Sequence, residues 1–383
     1  MNQALRTGSV FAALFLTFGI NLPFLPIWLK AIGLSNEQLA IALAAQSGIR
    51  VLATPILTYW ADHRRARRRF VIALALFSTL GMVAVALSSQ FWMIVCLLLV
   101  SSIASSPLTP MLDALAVQQS EAGHYQYGRV RMAGSLAFML GSLLAGCLLL
   151  VLDARYVVWP IVGGYGLTLL CSFFLQAEEN TASTTVHSMA SPWEAARKLS
   201  SWAFIAMVLA AGLTQSSHAA LYGFSSVHWQ HLGHSGTVIG ALWATGVIAE
   251  VVLFNWSHSV LRWLAPERLL MCGAALAVLR WFLMGFDPPL AVLYCLQILH
   301  AGSFGATHMA TMHLIHRRID SGLTGTAQGV YAAISGGILM TAALGVSGVL
   351  YDRLGAGAFL VMSAIAALGF LVASRIPRHS EAT

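Results

Sequence analysis

The chain is poor in charge. Asp, Glu, Lys and Arg supply 9% of its 383 residues, against roughly a quarter in an ordinary soluble domain. That scarcity excludes a water-soluble globular fold. It excludes a disordered chain as well, because such chains are charge-rich and apolar-poor. Cysteine is also scarce. The five residues Cys96, Cys147, Cys171, Cys272 and Cys295 are odd in number, lie in apolar runs and have no metal-ligand spacing. They exclude a disulfide scaffold and read as small apolar packing residues. Ten-residue stretches of alternating polarity are missing, which excludes a membrane β-barrel. No phosphate-binding GxxxxGK[ST], GxSxG, HExxH or paired CxxC occurs, so no ATP site, nucleophile elbow or metal site is expected. The chain reads as a non-enzyme that uses neither cofactor nor metal.

Apolar sequence fills the space that charge leaves. Hydrophobic residues make up 58%, and the mean hydropathy is +0.76. A helix needs ~20 apolar residues to cross a bilayer. Twelve such spans can be counted: 8–29, 38–61, 70–88, 91–115, 129–151, 156–176, 202–228, 237–257, 268–286, 290–312, 325–350 and 356–374. The first is too long for a cleaved signal, carries Pro23 and Pro26, and has no small-residue cleavage site after it. The predicted fold is all-α and polytopic. It has a six-helix half over 1–176, a polar linker over 177–201 and a second six-helix half over 202–383.

The net charge of +7 points to loop topology rather than to nucleic acid. With both termini inside, the cytoplasmic segments hold Arg6, Arg64, Arg65, Arg67, Arg68, Arg69, Arg129, Arg197, Lys198, Arg262, Arg268, Arg317, Arg318, Arg375 and Arg378. Only Lys30, Arg155 and Arg353 fall outside. This asymmetry sets the expected orientation. Trp28, Tyr59, Trp60, Trp92, Trp159 and Trp202 lie near span ends and read as interfacial belts.

Two sixes joined by a linker suggest secondary transport, in which repeated helical units commonly hold the solute near the bilayer midplane. A faint repeat supports this. Span 5 carries Gly134, Gly141 and Gly146, and span 11 carries Gly329, Gly336, Gly337, Gly345 and Gly348. Small residues let helices approach closely.

An ionisable side chain at depth costs roughly 2.5–3.5 kcal/mol on insertion scales, so each one needs a partner or a task. In the first half these are Arg50, Asp113 and Arg131. In the second they are Glu250, Arg280, His218, His300 and His308. Pairing across helices accounts for part of them. Arg50 is expected to neutralise Asp113 and release Arg131. A remaining Arg suits a carboxylate, because its planar fork donates two parallel hydrogen bonds. Glu250 can exchange a proton if Arg280 moves, and His300 is the second choice. Tyr222 and Trp243 lie deep enough to stack on a ring, as do Phe224 and Tyr331, though core packing also accounts for them.

The run YGRVRMAGS around Arg131, with Asp113 eighteen residues before it, resembles the lactose-permease-like branch of the major facilitator superfamily. In that branch an acid on helix 4 pairs with the second Arg of a similar run on helix 5 and takes part in sugar binding. The second half is similar too, with Glu250 on helix 8, Arg280 on helix 9 and His300 on helix 10. In the branch these positions belong to the substrate and proton sites. Its pattern places a second acid three residues after the helix-10 His, and here that residue is Ser303. The resemblance therefore leaves Glu250 as the coupling acid.

A resemblance over nearly the whole chain is to the 3-phenylpropionate permease group. LPFLPIWLKAIGL, SPLTPMLDALA, YGRVRMAGSLAFMLGS, SHAALYGFSSVHWQ, LWATGVIAEVVLF, LRWFLMGF and LQILHAGSF carry it. It implies proton-linked uptake of a small aromatic carboxylate across the inner membrane by a monomer, with no nucleic-acid partner. Asp113, Arg131, Arg50, Tyr222 and Trp243 would bind substrate, and Glu250, Arg280 and His300 would handle the proton. Symport of a sugar or nucleoside is the alternative reading, and drug–proton antiport comes third.

Overall fold

A computed structural model describes residues 3–176, 199–319 and 323–377. Most of the predicted linker, 177–201, lies outside the described residues. These residues are helical throughout, with no strand among them. Twelve helices match the twelve predicted spans. In the first six, α1 is Gln3–Ala31, α2 Asn36–His63, α3 Arg67–Ala86, α4 Phe91–Ser120, α5 Tyr127–Leu148 and α6 Val158–Ser172. In the second six, α7 is Trp202–His231, α8 Gly236–Asn255, α9 Pro266–Met284, α10 Leu290–Arg318, α11 Thr324–Leu354 and α12 Ala358–Ala373. Nine stretches among the described residues are long and apolar enough to cross a membrane, and Thr324–Ala373 joins α11 and α12 in one of them. The other two helices are α6, which is short at 15 residues, and α9, which carries Glu267, Arg268 and Arg280.

Local sequence explains the helix ends and breaks. Ser35 and Gln38 form a capping box at the start of α2, each side chain bonding the other's backbone. Gly33 just before it has φ +96°, a conformation glycine adopts without strain. Pro266 opens α9, where its missing N–H is no loss. The helix of α4 breaks between Ser105 and Leu108, at Pro107. Three helices contain π-helical stretches: Leu221–Ser225 in α7, Ala301–Ala306 in α10 and Ala333–Leu339 in α11. Such stretches often accompany functional sites.

Contacts divide the chain into two compact units. One comprises Met1–Thr181 with Tyr222–Ala244, and the other Ala182–Leu221 with Thr245–Thr383. The same pairings recur at an offset of six helices. In the first unit α1 packs on α5 and α6, and α3 packs on α4 and α6. In the second α7 packs on α11 and α12, and α9 packs on α10 and α12. The repeat that is faint in the glycines is plain in the packing.

Lipid tails are as apolar as leucine, so burial of apolar side chains does little to hold membrane helices together; close backbone approach does much of it. Gly19 of α1 lies against the backbone of Phe138, and Gly141 of α5 against that of Leu16. Between them the Ser142 hydroxyl donates to the Gly19 carbonyl at 2.8 Å. Gly146 and Gly236 meet backbone to backbone in the same unit.

Two expectations change here. Trp28 is buried rather than interfacial, and its indole donates to the Arg155 carbonyl at 3.1 Å. The remaining belt residues Tyr59, Trp60, Trp92, Trp159 and Trp202 are exposed. Four of the five free cysteines are exposed, so they face outward instead of filling the core. A thiol is apolar enough to sit against lipid, and composition alone does not separate those two surroundings.

Any side chain added at Gly141 meets the Leu16 backbone, which cannot yield as a side chain would. Gly141→Val is expected to lower the thermal midpoint in detergent, with a cost of about 1–3 kcal/mol or more. Gly163→Ala on α6 points into open space and should leave that midpoint unchanged.

Candidate transport site

Each unit brings several of its ionisable groups together. In the first unit Tyr127 and Arg131 are four residues apart on α5, so they share a helix face. Asp113 reaches them from α4. Its Oδ1 accepts the Tyr127 hydroxyl at 2.9 Å and lies 3.4 Å from Arg131 Nε. The Arg131 guanidinium lies over the Phe15 ring of α1, 4.3 Å from its centroid, with Phe11 farther off at 5.8 Å. Gly134, one turn beyond Arg131, makes room for this: a Cβ there would stand 3.1 Å from the Phe15 ring.

Arg131 is thus held on one edge and one face. Its contact with Asp113 is longer than the ~2.8 Å of a well-formed charge-assisted bond. A third of the side chain stays accessible. Tyr127 also contacts it, and the accessible part of the guanidinium can meet an incoming anion.

Arg50 lies elsewhere in this unit. It is exposed, and its electrostatic neighbour is Tyr165 of α6. The cation on Asp113 among the described residues is Arg131, so the expected Arg50–Asp113 pair does not form. Asp113 follows Pro107 and Pro110, beyond the break in α4, and its partners are on α5. The linear sequence did not show this.

Tyr222 and Trp243 do come together. Their rings stack 6.2 Å apart at 22°, and the Trp243 indole donates to Ser226 Oγ at 2.9 Å. Both residues group with the first unit.

The second unit centres on Arg280 of α9, which is fully buried. Its Nη2 donates to Gln297 Oε1 at 2.7 Å. Its Nη1 reaches His300 Nδ1 at 3.0 Å and Ser303 Oγ at 3.2 Å. The guanidinium also lies 4.5 Å from the Trp281 ring centre. On the far side of His300, Nε2 is 3.7 Å from Glu250 Oε2 on α8. The predicted trio Glu250, His300 and Arg280 is therefore assembled. Small residues permit it, since Gly246 of α8 lies beside His300 and Gly305 of α10 beside Glu250.

Sequence reading missed Tyr127, Phe15 and Gln297. Helical spacing could have found two of them, because Tyr127 lies four residues before Arg131 and Gln297 three before His300. Phe15 had no such signal, since its contact is between helices. His308, a weaker candidate, is exposed and stacks on Phe304. No cluster of His, Cys, Asp and Glu able to hold a metal occurs among the described residues.

A family model described as the MFS_1 like family matches residues 8–361. The chain is 33% identical over 354 residues to the "Probable 3-phenylpropionic acid transporter" of Escherichia coli (strain K12), covering 92% of each chain. It is 23% identical over 367 residues to the "Maltose permease" of Geobacillus stearothermophilus, covering 94% of this chain and 91% of that one. Among solved structures, the nucleoside transporter NupG superposes with a TM-score of 0.79 at 14% identity, over 99% of this chain and all of that one. The D-xylose-proton symporter gives 0.77 at 12% identity, over 99% of both. At such identities these structures show the fold alone. The protein is thus a multi-pass membrane transporter and not an enzyme. It belongs to the MFS_1-like family of the major facilitator superfamily.

The Asp113–Arg131 contact makes a stability prediction. Asp113→Asn and Arg131→Gln should each lower the thermal midpoint in detergent by leaving one charge uncompensated. The double variant should be more stable than the two single losses sum to, by about 0.5–3 kcal/mol of coupling. Additive losses would mean the two side chains act independently.

Proposed function

We propose that the protein takes up small aromatic carboxylates, such as 3-phenylpropionate, together with protons, by alternating access. The observation that carries this is the state of Arg131. It is anchored through Nε and through its face on Phe15, and its terminal nitrogens suit the two oxygens of a carboxylate. The name borne by the Escherichia coli relative points to the same substrate class. Asp113 and Tyr127 orient the guanidinium. The Tyr222–Trp243 stack offers an apolar face for a ring.

In this reading Glu250 carries the proton. His300 links it to Arg280, whose permanent charge stabilises the carboxylate form. Protonation of Glu250 then releases Arg280 and His300 to rearrange, and bound substrate permits the change of access. The protein works as a monomer in the inner membrane with both termini in the cytoplasm, as its Lys and Arg distribution suggests.

The test is uptake of labelled 3-phenylpropionate into proteoliposomes with and without an inward proton gradient. Accumulation should collapse when the gradient does. The alcohol 3-phenylpropanol should fail to compete. Arg131→Lys should raise KM about tenfold or more, since one ammonium cannot replace the fork. Glu250→Gln should abolish gradient-driven uptake while sparing exchange. If folded protein ignores the acid yet carries sugars or nucleosides, the carboxylate reading falls.

A further inference from the structure

We propose that His218 is a positioning residue. Through Ser303 it fixes Arg280 against His300, and so sets the proton affinity of Glu250. This rests on the reading of Glu250 as the proton carrier.

Hydrogen-bond directions carry the argument. His218 is buried on α7 and its Nδ1 faces two carbonyl oxygens, Thr214 at 3.1 Å and Gln215 at 3.2 Å. Carbonyl oxygens only accept, so Nδ1 holds the hydrogen. In the neutral ring Nε2 is then an acceptor, and it lies 3.2 Å from Ser303 Oγ. The Ser303 oxygen receives a hydrogen from Arg280 Nη1, since a guanidinium can only donate. The one hydroxyl hydrogen of Ser303 is therefore free to go to His218. The chain runs one way, from Arg280 to Ser303 to His218 to the α7 backbone.

The second hydrogen of Arg280 Nη1 goes to His300 Nδ1. That fixes the other tautomer there, with the His300 hydrogen on Nε2, facing Glu250 at 3.7 Å. One guanidinium nitrogen thus sets both imidazoles. His218 is held in turn by an edge-on contact with Trp281, 4.9 Å between centroids, whose indole donates to Ser217 Oγ at 2.8 Å. Ser303 sits in the π-helical stretch Ala301–Ala306 of α10. It stands at the position where the related branch pattern places an acid, and its hydroxyl both accepts and donates in this network.

The ionisable groups facing this network are Glu250 from α8, Arg280 from α9 and His300 from α10, with His218 itself from α7. Loss of Ser303 removes one acceptor from Arg280 Nη1, and loss of His218 leaves the Ser303 hydroxyl unoriented, so that it no longer holds Nη1 in place. The guanidinium then turns its charge toward the Glu250 side and favours the carboxylate. The proton is bound only at lower pH.

The experiment is the pH profile of gradient-driven uptake in proteoliposomes for wild type, Ser303→Ala, His218→Leu and His218→Gln. Ser303→Ala and His218→Leu should each move the midpoint down by about one pH unit, the size of effect a closer cation has on a carboxylate. The double variant should move it no further. His218→Gln offers an amide oxygen to Ser303 and should return the midpoint most of the way to the wild-type value. Ser303→Ala removes a single oxygen and keeps the test alive if His218→Leu does not fold. Profiles that overlay wild type in folded Ser303→Ala overturn the proposal, provided Glu250→Gln still abolishes coupled uptake. Coupled uptake that survives Glu250→Gln overturns the reading beneath it as well.

Discussion

A guanidinium keeps its charge at any pH the protein meets, so a buried one must be surrounded by acceptors. Arg280 is fully buried, and much of the second unit is arranged around that fact. Gln297, His300 and Ser303 all lie on α10 and all turn toward it. The α9–α10 packing is close because Gly273 meets Thr307 and the carbonyl of Gly302. Trp281 covers the guanidinium and, through its indole, ties α9 to Ser217 of α7. Removing the charge would leave this whole set of polar groups without its centre.

The two units treat their arginines differently, and the difference assigns the roles proposed for them. Arg280 spends both hydrogens of Nη1 and one of Nη2 on neighbours in its own unit. It is suited to tuning an adjacent acid. Arg131 has a long contact to Asp113, a contact with the Tyr127 hydroxyl, an aromatic platform and an accessible third of its surface. It is suited to receiving an anion. An unbalanced cation at depth is costly. A site that keeps one partly satisfied has a reason to bind a negative charge.

Much of the fold was legible from composition. Apolar runs of membrane length are a strong signal, because a bilayer leaves the backbone only a helix or a closed barrel, and a barrel would alternate in polarity. All twelve predicted spans correspond to helices. The interior of those helices was harder to read. Whether a cysteine faces lipid or protein depends on helix rotation, and both environments accept a thiol. Trp28 lies at a span end and looks interfacial, yet a neighbouring carbonyl holds it inside. The site was legible where chemistry was unusual for a membrane. Asp113, Arg131, Glu250, Arg280 and His300 stood out because they are costly there. Tyr127 and Gln297 did not, because neutral polar residues are common in helices. Arg50 was legible as a charge but not as a partner, since its neighbour Tyr165 lies on a different helix and its contact is between helices.

The central claim is that recognition of a carboxylate in one unit is linked to protonation of Glu250 in the other. The most direct measurement is calorimetric binding of 3-phenylpropionate to the purified protein near neutral pH, in buffers of different ionisation heat. The account expects heats that vary with the buffer and report proton uptake on binding, with the variation lost in Glu250→Gln. Binding with heats independent of buffer in the wild type would contradict it.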